Sequence, residues 1–408
     1  MNNKELIPHL FRTEFSKIVS VLCKTFGLSN IELAEDIVSD TFLAATESWR
    51  VRGNPDNPKA WLYAVAKSKS KDYFKRDSLF RDKIAPEIKN DSMEHKDYEI
   101  DLSDNNIKDS QLQMLFALCD PIISSEAQVA MALRILCGFG IEEISQAFLT
   151  TKSTINKRLQ RSKKTFREEN IKLVFPSENE LEKRLSNVLS IIYLLFNEGY
   201  FSISSDEKIK KDLCYEAMRL LNILINNPST NNPQCNALMA LFCFHTSRFE
   251  ARINESGESV LYADQNRDDW NVELINQGEL FLNKAAVEGV ITKYHLEAVI
   301  AFWHTRKKDT KEKWESILQL YNRLLQIEYS PVAALNRTYV LSKIYGKKKA
   351  IEEALKINLE NNFLYHSLLA ELYSSENKKK QIRHLEIAIS LAPNPNDKKV
   401  LFDKLNAI

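Results

Sequence analysis

Residues that make sharp turns are scarce in this sequence. It has 9 Gly and 11 Pro in 408 residues. A β-sheet protein needs a turn about every ten residues, and Gly and Pro are the usual residues at such turns. Their scarcity therefore favours an all-α fold. The composition, 44% hydrophobic and 27% charged, is that of a globular protein. The length exceeds that of one ordinary core, so we expect two or three domains.

Long apolar runs and a secretion signal are also lacking. The longest runs, VLSIIYLLF at 188–196 and ALMALFCF at 237–244, have about half of the length that a bilayer span requires. The first residues, MNNKE, lead directly into an amphipathic pattern, without a basic and then apolar leader. We therefore expect a cytoplasmic protein with no membrane contact.

The cysteines form no CxxC pair and are irregularly spaced. In a reducing compartment such residues are typically small buried hydrophobes rather than disulfides or zinc ligands. We therefore expect no metal site and no cofactor. The six residues are Cys23, Cys119, Cys137, Cys214, Cys235 and Cys243.

Hydrophobic periodicity and composition divide the chain into four segments. The first is helical and is interrupted by the loop VRGNPDNP at 51–58. The second is acidic and has too few large hydrophobic residues to offset the entropy of ordering, which predicts a partly flexible linker. The third shows four helices. The fourth is helical throughout, with a degenerate helix-pair repeat of tetratricopeptide-like spacing in its last third. The predicted boundaries are 1–77, 78–110, 111–175 and 176–408.

The third segment ends in a short helix, a turn and a basic helix. Thr151 is a suitable N-cap for the second of these helices, and no acid occurs between 150 and 167. Such a pair fits the major groove of DNA, although a solvated basic face on an ordinary helix pair has the same pattern. The candidate DNA contacts are Lys152, Ser153, Thr154, Asn156, Lys157, Arg158, Arg161 and Lys164, the last three to phosphates.

Two patterns in the first segment also carry polar residues. AEDIVSDTF at 34–42 is an amphipathic helix whose acids could simply be solvated. NPKAWLYAVAKSKSKDYFKR at 57–76 interleaves basic and aromatic residues beside a loop, which suits single-stranded DNA. The aromatic residues could equally belong to the core. The interleaved residues are Lys59, Lys67, Lys69, Lys71, Lys75 and Arg76 with Trp61, Tyr63, Tyr73 and Phe74.

These three patterns, in this order, resemble the extracytoplasmic-function (ECF) class of sigma-70-type sigma factors. AEDIVSDTF is similar to that family's region 2.2, the 57–76 pattern to regions 2.3 and 2.4, and residues 125–167 to region 4.2. The resemblance implies a helical region 2 domain and a helix-turn-helix region 4 domain, without catalysis by this chain. It implies two partners: core RNA polymerase, through its β′ clamp helices and β flap, and promoter DNA.

The resemblance also implies roles for individual residues. Region 2.2 would contact polymerase through Glu35, Asp36, Ser39 and Asp40, and the helix at 152–164 would bind the −35 element. Family members usually carry Gln or Glu at the position of Ser39 and Asn at the position of Ser68. The implied contacts to the −10 element are Lys59, Trp61, Lys67, Ser68, Lys71, Lys75 and Arg76.

The fourth segment resembles the tetratricopeptide-like extension of one ECF subgroup, through YLLFNEGY at 193–200, DQNRDDW at 264–270 and SPVAALNR at 330–337. In that subgroup the extension is thought to replace a separate anti-sigma partner. We therefore expect the extension to control the sigma segments, and it could also bind an unknown protein partner. One alternative is a stand-alone helix-turn-helix regulator with a helical sensor domain. Another is an enzyme in this segment that uses Glu198, Asp264 and His295, although their spacing fits no acid–base pair.

Overall fold

Helices make up the regular secondary structure of the described residues. The computed structural model describes residues 3–83, 99–148, 150–200, 207–252, 260, 262–287, 289–357, 359–392 and 395–408. These ranges hold eighteen α-helices and four 3-10 turns and no strand, which confirms the all-α prediction. The chain divides into two compact units, Met1–Asn226 and Asn227–Ile408.

The first three helices form where the hydrophobic periodicity predicts them, but they are longer. The second includes Val51 and Arg52 of the predicted loop, and the third begins at Pro58 and continues to Lys83, inside the predicted linker. Gly27 and Gly53, with φ of +87° and +83°, follow the first two helices in the left-handed region, where a side chain would be strained. The stripes of apolar residues supply the core, since Phe15, Leu22 and Trp49 are buried. The helices are α1 (Asn3–Phe26), α2 (Ile31–Arg52) and α3 (Pro58–Lys83).

The third segment contains the four predicted helices. They are α4 (Asp104–Leu118), α5 (Ser125–Ile135), α6 (Ile141–Ala147) and α7 (Lys152–Glu168). α4 begins inside the predicted acidic linker, because the Ser103 hydroxyl caps its first turn and Ile107 is buried. Ile100 and Leu102, just before the cap, are buried as well. The linker residues 84–98 lie outside the described part of the chain.

Two further helices, α8 (Glu178–Tyr200) and α9 (Glu207–Ile225), complete the first unit. They are joined to the third segment by hydrogen bonds. The guanidinium of Arg184 donates to the Phe116 carbonyl at 2.8 Å, and that of Arg219 donates to the Leu136 carbonyl at 2.5 Å. The first unit therefore extends into the segment 176–408 that was predicted to form the C-terminal domain.

The second unit is a series of α-helices, of which the first two are separated by residues 247–271 and the later ones follow one another closely. Asn232 and Ser330 cap the helices that begin at Pro233 and Pro331, and proline at the first helical position is pre-organised for helix. α14 with α15 and α16 with α17 are the helix pairs predicted from the sequence repeat. The helices are α10 (Pro233–Thr246), α11 (Val272–Ala285), α12 (Lys293–Thr305), α13 (Lys311–Ile327), α14 (Pro331–Tyr345), α15 (Lys347–Ile357), α16 (Phe363–Tyr373), α17 (Lys378–Leu391) and α18 (Pro395–Asn406).

The α10–α11 contact in this unit depends on one glycine. Gly278 of α11 lies against the ring of Phe244 on α10, and a Cβ at this position would come within 2.6 Å of that ring. Only a residue without a side chain lets the two helices approach so closely.

All six cysteines are buried and free, as predicted. Burial raises the pKa of Cys119 and Cys243 to about 12, so these thiols are not reactive thiolates. Across the described ranges, the helices are too short or too polar to cross a membrane.

Candidate nucleic-acid interface

The basic helix α7 buries one face and exposes the other. Ile155, Leu159 and Phe166 are buried, and the Thr151 hydroxyl accepts a hydrogen bond from the backbone N–H of Thr154 at 3.1 Å. This cap and this apolar stripe fix which side of the helix meets solvent. The predicted DNA contacts on the exposed side are Lys152, Ser153, Thr154, Asn156, Lys157, Arg161 and Lys164.

Three of the predicted DNA contacts on this helix have partners nearby. Arg158 is half-buried, with its guanidinium 5.7 Å from the centre of the Phe148 ring. Lys152 pairs with Glu142 at 2.9 Å and Lys164 with Glu168 at 3.5 Å. Both ion pairs are exposed, and such pairs are worth at most about 1 kcal/mol. Phosphates can therefore compete for these lysines.

The predicted −10 residues of α3 differ in their exposure. Ser68, Lys71 and Lys75 are exposed, and Lys67 is half-exposed. Trp61 is half-buried, because its ring packs edge-on against the buried Trp49 ring at 5.4 Å. The side chain of Arg76 lies outside the described part of the chain.

The aromatic residues around this face have structural contacts. The Tyr63 hydroxyl donates to a carboxylate oxygen of Glu14 at 2.6 Å, and burial together with this bond raises the Tyr63 pKa. The Phe74 ring packs against that of Phe26 at 4.7 Å. Both contacts support the interpretation of these two rings as core residues.

Acidic residues in the last part of the predicted linker approach the same face. Lys59 lies 3.4 Å from Asp104 at the start of α4. Hydrogen bonds from Ser103 lower the Asp101 pKa, and the Lys67 charge acts in the same direction. Two of the predicted −10 contacts therefore lie beside carboxylates.

Three of the four predicted polymerase contacts form an exposed edge on α2. Asp36, Ser39 and Asp40 are exposed, and Asp40 lies 3.9 Å from Lys69. Glu35 points the other way and is 6% exposed. Its Oε1 accepts from Arg134 Nε at 3.0 Å and its Oε2 from Lys163 Nζ at 2.5 Å.

Sequence patterns did not single out these two partners of Glu35. Arg134 is the one charged residue of an otherwise apolar stretch of α5, and Lys163 is one of several bases on α7. They are 99 and 128 residues from Glu35 along the chain. The burial of their helices is predictable from periodicity, but the pairing is not.

The residues considered for an enzyme are divided between the two units and have different surroundings. Glu198 belongs to the first unit, and burial raises its pKa. In the second unit His295 Nδ1 lies 3.2 Å from the backbone N–H of Thr292 and caps α12, while Asp264 is exposed. Among the residues that the structure describes, no group of three or more His, Cys, Asp or Glu side chains could hold a metal ion.

Comparisons with known proteins identify two segments. Residues 10–79, which include most of α1 and all of α2, match Sigma-70 region 2. Residues 184–286 match a family of unknown function, DUF6596. Sigma-70 proteins are transcription factors rather than enzymes.

One similar protein covers nearly the whole chain. It is the uncharacterized protein R00370 of Rhizobium meliloti (strain 1021), which is 31% identical over 374 residues, or 90% of this chain and 88% of that protein. No solved structure matches. The chain belongs to the same family as that protein, and its region 2 makes it a sigma-70 family factor that acts in transcription initiation.

Proposed function

We propose that this chain is an ECF-type sigma factor that works in the cytoplasm. It binds core RNA polymerase, and it reads the −10 element with α3 and the −35 element with α7. The observation that carries this proposal is the exposed basic face of α7, acid-free from 150 to 167, in a chain that has sigma-70 region 2 at residues 10–79.

The geometry of the α6–α7 pair supports a role in DNA reading. A short helix, a turn and a capped helix with polar residues at its exposed N-terminal end are typical of pairs that enter the major groove, which supports base contacts by Lys152, Ser153 and Asn156. Arg161 and Lys164 lie further along the helix, where phosphates pass. The helix-turn-helix pair would therefore act as region 4.

The exposed edge of α2 supports polymerase binding. Asp36 and Asp40 are one helical turn apart and point to solvent, where β′ can reach them. Asp40 has a long contact with Lys69 at 3.9 Å, which polymerase binding could replace. A stand-alone regulator needs no such contact, so binding to core polymerase separates the two hypotheses.

The extension is proposed to control the sigma regions from within the chain. Arg12 of α1 pairs with Glu143 of α6 at 2.6 Å and lies 3.9 Å from Asp212 of α9. Arg12 therefore connects region 2 with both region 4 and the extension through ion pairs. Arg219 of α9 adds its hydrogen bond to the Leu136 carbonyl. These contacts hold α8 and α9, the first helices of the extension, on the sigma regions, and the second unit is joined covalently to α9. This attachment supports control by the tetratricopeptide-like extension.

The test of the function is in vitro transcription with purified core polymerase and a library of promoters. We expect the full chain to direct initiation at a subset that shares −10 and −35 sequences. Failure to form a holoenzyme, with specific binding of duplex DNA by the chain alone, would instead indicate a stand-alone regulator.

The test of control is a chain that ends after Asn226, the boundary of the first unit. It keeps α8 and α9, so that the hydrogen bonds of Arg184 and Arg219 remain. Because a covalently attached domain has an effective concentration of about a millimolar, we expect its removal to change promoter output several-fold. Equal output of both chains at every salt concentration would show that the second unit is not a regulator.

A further inference from the structure

We infer that Glu35, Arg134 and Lys163 form a latch that holds regions 2 and 4 together and keeps the chain in a closed state. The three residues are called the Glu35 latch below. The inference rests on the proposed function, and it concerns the regulation of the same two surfaces.

The Glu35 latch joins helices from two different regions. Glu35 lies on α2, beside the exposed Asp36 of the proposed polymerase edge. Arg134 lies on α5 and Lys163 on α7, outside the segment that matches region 2. Each carboxylate oxygen of Glu35 accepts one charged hydrogen bond, at 3.0 and 2.5 Å. The side chains are 7%, 21% and 15% exposed for Glu35, Arg134 and Lys163.

Residues around the Glu35 latch add further contacts to the same helices. Arg167, one turn beyond Lys163 on α7, pairs with Glu32 on α2 at 2.9 Å. Arg134 also donates to the Phe139 carbonyl at 3.2 Å, and its guanidinium lies 5.6 Å from the centre of the Phe15 ring. Acids of α2 thus face bases of α5 and α7.

The polar character of this contact makes it reversible. A buried ion pair adds little net stability, since both charges have lost their water, but removing one partner leaves the other buried and uncompensated. When the two regions separate, all three groups regain water together. The closed state is therefore specific without being permanent.

The closed state is incompatible with reading both promoter elements. Elements about 10 and 35 base pairs upstream of the start are about 25 base pairs apart, or about 85 Å of duplex at about 3.4 Å per step. α7 has 17 residues, which is a length of about 26 Å. While Lys163 touches Glu35, the −35 residues of this helix cannot lie that far from region 2. The Glu35 latch must open before the promoter is bound.

The test is a distance measurement on the full chain, without polymerase. Spin labels are placed on the variants Glu47→Cys of α2 and Gln160→Cys of α7, two exposed positions. The six natural cysteines are buried, so they do not compete for the label. We expect a short distance in the parent and an added population at longer distance in Lys163→Gln and in Arg134→Gln.

The size of the change follows from the bond that is lost. Losing one charge-assisted hydrogen bond should raise the open-to-closed ratio about tenfold. Lys108→Gln, which removes the same charge from an exposed lysine of α4, should keep the parental distances. Because the Glu35 latch acts as one unit, the double variant Glu35→Gln with Lys163→Gln should open less than the sum of the single effects predicts.

Core polymerase supplies a second readout. Lys163 and Arg134 are not among the proposed polymerase contacts, so opening should tighten their apparent affinity for core enzyme by the same factor of about ten. Distances in Lys163→Gln and Arg134→Gln that equal those of Lys108→Gln would overturn the inference. A chain that binds no polymerase would refute the proposed function, yet it would still open or stay closed in the distance measurement, so the two failures are distinguishable.

Discussion

The polymerase edge on α2 can be tested by reversing its charge with the substitutions Asp36→Arg and Asp40→Arg. Both side chains are exposed, and the ion pair at risk is the long Asp40–Lys69 contact at 3.9 Å. Exposed pairs contribute at most about 1 kcal/mol, so the variant should fold and keep its far-UV helical signal.

The loss of binding should be large. Truncating one partner of a buried interfacial charge pair costs about 2 kcal/mol or more, and charge reversal adds repulsion. Two such changes cost at least about 4 kcal/mol, which is about a thousandfold in Kd. The assay is co-purification with core polymerase, followed by a binding titration by fluorescence anisotropy.

A matched control lies on the same helix. Glu47 is an exposed acid eleven residues after Asp36, so it lies about three turns along nearly the same face. Glu47→Arg should bind core polymerase as the parent does. Undiminished binding by the folded double variant would refute the assignment of α2 as the polymerase contact.

Three further predictions concern DNA reading and stability. Asn156→Ala or Lys157→Ala should change base preference at one or two −35 positions by about 1–3 kcal/mol. Arg161→Ala should weaken binding to all DNA sequences alike and reduce the slope of log affinity against log salt by about one. In salt titrations of a promoter library, an equal loss of affinity for every sequence in all three variants would contradict readout by α7. Gly278→Ala should destabilise the second unit by about 1–3 kcal/mol in urea unfolding, because the added Cβ meets the Phe244 ring. A stability gain of about 1 kcal/mol, which is the advantage in helix propensity of Ala over Gly, would show that the two helices move apart without cost. Burial lowers the pKa of His304 to about 3, so below about pH 6.5 the unfolded chain binds a proton that the folded chain does not. The free energy of unfolding should therefore fall as the pH falls from 6.5 towards 4. If His304 is the cause, the variant His304→Gln should show a shallower dependence of this free energy on pH.

Local patterns predicted the helices of the sigma segments because each helix carries its own signals. Apolar residues recur every three to four positions in α1 and α2, and Ser or Thr stands before α4, α5 and α7. The break between α2 and α3 follows from Gly53 and Pro55, which stop a helix, although the loop at 53–57 is shorter than the predicted 51–58. Composition also indicated buried cysteines correctly.

Pairings between distant residues could not be predicted in the same way. AEDIVSDTF indicates that Glu35 is polar, which suggests a solvent-facing position beside Asp36. Its burial depends on Arg134 and Lys163, and no spacing rule connects charges that are 99 and 128 residues apart. The packing of α8 and α9 in the first unit could not be predicted for the same reason. It rests on long side chains, those of Arg184 and Arg219, that reach carbonyls of another segment.

Arg184 and Arg219 limit where the sigma segments can be cut from this chain and joined to another protein. The carbonyls of Phe116 and Leu136 lie at or near the C-terminal ends of α4 and α5, where the last carbonyls of a helix have no N–H donor within the helix. The guanidinium groups of Arg184 and Arg219 occupy them. A chimera cut between α7 and α8 would strip both helix ends of their donors, whereas a graft made after Asn226 would carry the donors along. Recombination, in the laboratory or in a genome, should therefore tolerate the later junction and reject the earlier one.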